Sequence, residues 1–168
     1  WGSMEGASSQ YFAIRMKSDI VSWPKTDDGG WTEEKYCVQP GTYCGLIFLL
    51  STKNGEPLAL INDGVLQHMR VGGGAGIGAK YLSRADSRVI GLIGSGGMAR
   101  AFLEAFCSVR PITECRVFSP TEGHKEAFAE EMTEKLGIDV IPVRGPREAI
   151  SGADIVSSAT DSMVPVYD

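Results

Sequence analysis

The sequence lacks the features that mark several large protein classes. Its longest apolar run, Gly45-Leu-Ile-Phe-Leu-Leu50, is far short of the roughly 20 residues that a bilayer-spanning helix needs, so no membrane segment is expected. Basic residues are not in excess. With Lys+Arg at 16 and Asp+Glu at 21 the formal net charge is -5, and no basic stripe is available to neutralise nucleic-acid phosphates. Histidine is scarce; His68 and His124 are far apart, so no metal site is expected. The cysteines, Cys37, Cys44, Cys107 and Cys115, include no Cys-x-x-Cys pair and read as free thiols of a cytoplasmic protein. The N-terminal stretch mixes Glu5, Arg15, Lys17 and Asp19 without an apolar core, which is not the pattern of a signal peptide. There is no internal repeat, low-complexity tract or long charge run.

What remains is an ordinary globular composition: 168 residues, 43% hydrophobic and 22% charged, enough for one domain or for one domain and part of another. The chain opens on Trp1 and stops at Asp168 directly after a strand-like stretch, and it reads as a fragment of a longer protein. Residues 11–63 are β-rich. Residues 11–23 partly alternate, placing Arg15 and Lys17 on one face of an extended segment, and a polar loop follows with Asp27-Asp28-Gly29-Gly30. Apolar strands at 45–51 and 58–61 flank Lys53-Asn-Gly-Glu-Pro57, a hairpin signal. Residues 64–82 read as a helix despite five interior glycines at 72, 73, 74, 76 and 78; these imply close approach to another backbone or to a ligand, or else an irregular first half.

From residue 88 onward strands alternate with helices: strands at 89–93, 114–119, 139–143 and 153–158, and helices at 97–109, 122–136 and 146–151. That alternation predicts βαβ units and a Rossmann-type α/β fold, a parallel sheet with helices on both faces. The domain reading is 1–86, a β-rich part of another domain, followed by 87–168.

The junction of the first strand and helix carries Gly94-Ser95-Gly96-Gly97-Met98-Ala99, a Gly-x-Gly-x-x-Ala turn. In such a turn the first glycine permits the tight bend and the second lets the backbone approach a pyrophosphate, while the small third residue keeps helix and strand close. The helix N-terminus then offers unpaired N–H groups and a positive dipole end to the anion. A nicotinamide dinucleotide is the expected cofactor. Arg100, one residue on, reads as a solvated helix residue or an aid to anion binding.

The end of the second strand distinguishes the two dinucleotides, because an acidic residue there bonds the ribose hydroxyls of NAD and repels a 2′-phosphate. Here the chain reads Phe118-Ser119-Pro120-Thr121-Glu122, with His124 and Lys125 close behind. Hydroxyls at Ser119 and Thr121 and nearby positive charge favour NADP(H), and Glu122 keeps NAD(H) open. The plainer reading makes Ser119 or Thr121 the N-cap of the next helix.

Taken together, Gly55-Glu-Pro-Leu-Ala-Leu, Gln67-His-Met-Arg-Val-Gly, Ala79-Lys-Tyr-Leu-Ser-Arg84, the Gly94–Ala99 turn, Ala153-Asp-Ile-Val and Thr160-Asp-Ser162 resemble the ornithine cyclodeaminase/mu-crystallin family. The likeness begins near residue 11 and runs to the end of the chain. It implies that residues 1–86 are the first part of a substrate and dimerisation domain of a homodimer. It also implies NAD(P)-dependent oxidoreductase or cyclodeaminase activity on a small amino or imino acid, the alternative being the crystallin-type role of binding a ligand without chemistry.

By the same resemblance Arg70 binds the substrate carboxylate, which suits its planar fork, although Val71 replaces the family's Thr. The family's substrate-binding lysine falls on Arg15 or Lys17. Thr160, Asp161 and Ser162 match a Thr-Asn-Ser segment beside the nicotinamide, with Asp161 lacking the amide donor of Asn. The family's catalytic aspartate lies beyond the position of Asp168, so no catalytic residue is assigned. Asp154 reads as a loop or strand-edge residue.

Overall fold

The structure, a computed structural model, describes residues 2–25, 34–36, 45–162 and 164–167; the polar loop read at 27–30 and Cys37 and Cys44 lie outside the described residues. The chain divides into two units, Trp1–Gln67 and His68–Asp168. The division falls inside a helix, upstream of the change of character that the sequence shows after residue 86.

In the first unit, β1 (Gly2–Ala7), β2 (Tyr11–Lys17), β5 (Gly45–Ser51) and β6 (Pro57–Asn62) form an antiparallel sheet in that order, and β3 (Ile20–Ser22) pairs with β4 (Glu34–Tyr36). The extended stretch read at 11–23 is therefore two strands interrupted at Ser18-Asp19. The β5–β6 hairpin turns through Gly55 at φ +74, with Ser51 N–H donating to the Glu56 carbonyl and Glu56 N–H to Asn54 Oδ1. Arg15 and Asp63 form a buried ion pair in this unit.

The second unit is built on a parallel sheet in the order β9-β8-β7-β10, from β7 (Val89–Ile93), β8 (Glu114–Phe118), β9 (Asp139–Pro142) and β10 (Ile155–Ser158). Covered strands read as near-continuous apolar runs, and Val-Ile-Gly-Leu-Ile of β7 does. Alternate residues of β7 and β8 serve the two faces. Ile90, Leu92, Cys115 and Val117 share a core with Leu103 and Phe106 of α2 (Gly97–Val109) and Phe128 and Met132 of α3 (His124–Leu136). On the opposite face Ile93 packs with Ala149 of α4 (Pro146–Ile150), and a Cβ on Gly91 would lie 2.6 Å from the Ala149 carbonyl oxygen. Helices thus cover both faces, as expected. Full burial of such side chains stabilises by about 1.5–3 kcal/mol each.

α3 starts at His124 rather than at 122. Its N-cap is Gly123, in the left-handed region at φ 79, not Ser119 or Thr121. A side chain disfavours that backbone conformation, so the glycine fixes the start.

The glycines of α1 (Gly64–Leu82) separate into two groups. A Cβ on Gly72 would lie 2.6 Å from the Ala101 carbonyl oxygen, and one on Gly76 would lie 3.1 Å from Ala105 Cβ; Gly73, Gly74 and Gly78 meet nothing. Residues spaced by four share a helix face. A ridge of small residues on α1 therefore packs directly against α2, which is the close backbone approach among the alternatives the sequence offers, and the helix is continuous rather than irregular in its first half.

Arg110 closes the far end of this helix pair. Its guanidinium donates to the Lys80 carbonyl, the Arg84 carbonyl at 2.8 Å, and the Ser83 carbonyl and hydroxyl at 3.0 Å each. Lys80 is in the last turn of α1, whose carbonyls have no intrahelical partners, and Ser83 and Arg84 follow directly after it. Arg110→Ala should lower the stability of this unit by about 2 kcal/mol, and Arg110→Lys should recover less than half because it loses the fork. Urea midpoints of the two variants against the parent would show whether the cap is as important as its bonds indicate. Asp154, just before β10, accepts the backbone N–H groups of Arg88 and Val89 at 2.7 and 2.9 Å and pairs with Arg84. Those bonds and the Arg84 charge hold its carboxyl below the usual range.

Candidate functional site

Three segments named by the sequence meet at the carboxyl end of the parallel sheet. The strand order β9-β8-β7-β10 changes direction between β7 and β10, and in sheets of this kind ligands sit outside the carboxyl ends at that reversal. The Gly94–Ala99 turn leaves β7 there, Ser119–Thr121 follows β8, and Thr160–Ser162 follows β10.

The turn is held from both sides. Gly94 N–H donates to the Phe118 carbonyl at 2.7 Å, and Ala159 N–H donates to the Ile93 carbonyl at 2.7 Å. Gly94 has φ +103, and a Cβ there would lie 2.1 Å from the Ala159 carbonyl oxygen and 3.5 Å from Thr160 N. Only glycine fits, so the sequence's reason for the first glycine holds in the structure with an added steric one.

Gly96 is the N-cap of α2, extended at φ -82 and ψ -172, with no side chain capping the first turn. A Cβ on Gly96 would meet nothing, so the space beside that residue at the helix N-terminus is open. The first turns of α1 and α2 carry no acidic residue. An uncapped N-terminus facing open space and free of first-turn carboxylates suits the pyrophosphate of a dinucleotide. The residues present therefore fit that cofactor.

Arg100 is half-buried, and its guanidinium is engaged by protein partners. Its guanidinium donates to the Ser95 carbonyl at 2.7 Å, pairs with Glu131 at 2.6 Å and lies 5.2 Å from the Phe128 ring centroid. It fastens the turn to α3, and the contact holds the Glu131 carboxyl below its ordinary value.

At the end of β8, Ser119 is buried while Pro120, Thr121 and Glu122 are exposed, and Lys125 Nζ lies 5.8 Å from the Phe118 ring centroid. After β10, Ser162 N–H donates to Thr160 Oγ1 at 3.1 Å, and the Ser162 hydroxyl donates to the Val164 carbonyl at 2.8 Å. Asp161 is exposed.

The residues expected to touch substrate are distributed differently. Arg70 is exposed on α1, in the second unit. Arg15 and Lys17 belong to the first: Arg15 is buried against Asp63, and Lys17 Nζ, on a half-exposed side chain, lies 3.1 Å from Asp19. His68 was given no role at this site by the sequence. Its ring lies against Gly97, the first residue of α2, and burial lowers its pKa. The only hint was its place four residues before Gly72, on the same helical ridge. Among the described residues no group of His, Cys, Asp and Glu could hold a metal ion, and no helix is long and apolar enough to cross a membrane.

Known proteins share this architecture. The Delta(1)-pyrroline-2-carboxylate reductase of Bacillus cereus is 34% identical over 126 residues, covering 75% of this chain and 39% of the reductase. The solved Thermococcus litoralis Delta(1)-pyrroline-2-carboxylate reductase, in complex with NADH and L-proline, superposes with a TM-score of 0.73 at 32% identity, over 99% of this chain and 52% of that one. An archaeal alanine dehydrogenase dimer with bound NAD gives a TM-score of 0.73 at 27% identity, over 94% and 45% of the two chains. The chain thus spans about two fifths of the curated relative and about half of the solved ones. The family model for ornithine cyclodeaminase/mu-crystallin proteins matches residues 32–167, so the chain belongs to the ornithine cyclodeaminase/mu-crystallin family.

Proposed function

We propose that the chain carries the dinucleotide-binding domain and the first part of the substrate domain of an NAD(P)-dependent oxidoreductase or cyclodeaminase acting on a small amino or imino acid. The observation that carries the reading is the uncapped, open N-terminus of α2 behind a glycine wedge at Gly94. The relatives' names supply the substrate class: a pyrroline carboxylate, L-proline, alanine.

The bound dinucleotide supplies hydride transfer at its nicotinamide ring. This chain's residues bind and orient. Backbone groups of the Gly94–Ala99 turn hold the pyrophosphate, and Arg70 grips the substrate carboxylate through its planar fork. Thr160–Ser162 borders the nicotinamide. Of the two early cations that the resemblance offers for substrate binding, Lys17 is the more accessible, on a half-exposed side chain beside Asp19, whereas Arg15 is buried against Asp63. Residues 1–86 serve substrate and dimerisation, and 87–168 serve the cofactor. Register places Ile14, Met16, Leu46, Phe48 and Leu60 on one face of the first sheet, where Met16, Leu46 and Leu60 are exposed. An apolar sheet face of that kind suits a homodimer. Cys107 and Cys115 are thiols, in keeping with the cytoplasm.

NADP(H) is the preferred cofactor, since β8 ends at Phe118 and is followed by Ser119 rather than a carboxylate, and Lys125 stands over Phe118. Ser119→Asp should weaken NADPH binding at least tenfold, on the order of 1.4 kcal/mol, and leave NADH binding equal or tighter. Fluorescence titration with both cofactors measures this, and an unchanged NADPH dissociation constant would mean that β8 does not end at the ribose. For the activity, the protein incubated with NADPH and a cyclic imino acid should oxidise the cofactor, and Arg70→Ala should raise KM far more than it lowers kcat. No turnover with imino acids and no ammonia release from ornithine would overturn the reading.

A further inference from the structure

The imidazole of His68 touches the cradle from a helix outside the β7–α2 unit. The position a Cβ on Gly97 would take lies 2.7 Å from His68 Cε1 and 3.2 Å from both Nδ1 and Nε2. The two nitrogens are equidistant, so the ring turns its N–C–N edge toward the first residue of α2. Gly97 is glycine because this ring occupies the space of a side chain. The ridge His68, Gly72, Gly76 lies against Gly97, Ala101, Ala105, an offset that stays constant along both helices. Packing of α1 on α2 therefore brings the imidazole to the N-terminus of α2.

We propose that His68 is a cofactor-positioning residue, whose ring nitrogen donates a hydrogen bond to a pyrophosphate oxygen of the dinucleotide held at the start of α2. The inference rests on the proposed dinucleotide site. A backbone-only cradle offers N–H groups from one direction, along the helix axis. An imidazole beside Gly97 adds a donor from the flank, anchored to α1 and so to the helix that also bears Arg70. Arg100, on α2, is turned to the Ser95 carbonyl and Glu131, and neither helix has an acidic residue in its first turn. Burial favours the neutral ring, and a neutral imidazole keeps one N–H donor. Cofactor orientation and the substrate-binding helix are thereby linked through two residues on one turn, His68 and Arg70.

The test uses His68→Ala, His68→Phe and His68→Asn, with NADH and inorganic pyrophosphate as probes. Loss of a hydrogen bond to a charged partner should weaken NADH binding about tenfold or more in the Ala and Phe variants, with Asn recovering part of it. In the wild-type protein, the imidazole nitrogens of His68 should shift in two-bond proton–nitrogen spectra as inorganic pyrophosphate is added. A packing role alone would leave those nitrogens unmoved, and this measurement needs no variant to fold. Unshifted nitrogens at saturation, or His68→Phe binding NADH as tightly as wild type, overturn the assignment while the dinucleotide site stands. Failure of the wild-type protein to bind NADH or NADPH at all overturns the site itself.

Discussion

Gly94→Ala is expected to abolish measurable dinucleotide binding and to destabilise the His68–Asp168 unit by about 4 kcal/mol. Two costs combine. The backbone at φ +103 is one that side chains rarely adopt, and the new methyl would sit 2.1 Å from the Ala159 carbonyl oxygen. Neither obstacle is a flexible side chain, so β7 and β10 must separate at their carboxyl ends. The bonds from Gly94 N–H to Phe118 and from Ala159 N–H to Ile93 lengthen as they do. Gly96→Ala supplies the contrast. Gly96 has a negative φ and nothing within reach of a Cβ, so that variant should melt within a degree or two of the parent while its methyl projects into the space the pyrophosphate needs. Thermal melts paired with NADPH titrations separate the two: Gly94→Ala loses stability and binding, Gly96→Ala binding alone. Wild-type binding by Gly96→Ala would show that the anion does not lie across that glycine.

Much of this arrangement was legible because its causes are local. An apolar β7, a glycine-rich turn and an apolar-faced α2 each leave a periodicity in the chain, and a parallel sheet follows from their alternation. What escaped reading depends on partners distant in sequence. β1, Gly-Ser-Met-Glu-Gly-Ala, is exposed along its whole length and has no apolar alternation; it is a strand because β2 offers an edge to pair with. The start of α3 moved because left-handed Gly123 outweighs the capping preference of Ser119 and Thr121. The five glycines of α1 announced close packing, yet nothing in the sequence tells Gly72 and Gly76 from Gly73, Gly74 and Gly78. That difference is set by the register of α1 against α2, and the same register brings His68 to Gly97.

Arg15 and Asp63 carry the other large expected effect, and it separates a framework role from a substrate role. The Arg15 side chain is 9% exposed and that of Asp63 is 0%. Arg15 Nε donates to Asp63 Oδ2, and Nη1 meets Met4 Sδ at 3.5 Å. Gly45 makes room for the carboxylate, since a Cβ there would lie 2.7 Å from Asp63 Oδ1. Removing one partner strands a buried charge, so Arg15→Met or Asp63→Leu alone should cost about 3–5 kcal/mol. The pair is also imperfectly satisfied: Arg15 Nη2 and Asp63 Oδ1 find no hydrogen-bond partner among the described residues. Its desolvation cost is therefore large relative to its attraction. Replacing both residues by apolar ones should restore most of the loss, and the double variant should be far more stable than the sum of the single losses predicts. Hydrogen exchange of the β2 and β5 amides reports this in the first unit itself, because those strands are paired across Arg15 and Ile47. If the double variant also binds the substrate carboxylate as the parent does, Arg15 has a framework role and no part in substrate binding. If the double variant is stable but has lost that binding, Arg15 reaches the substrate despite its partner, and Asp63 sets its direction rather than consuming its charge.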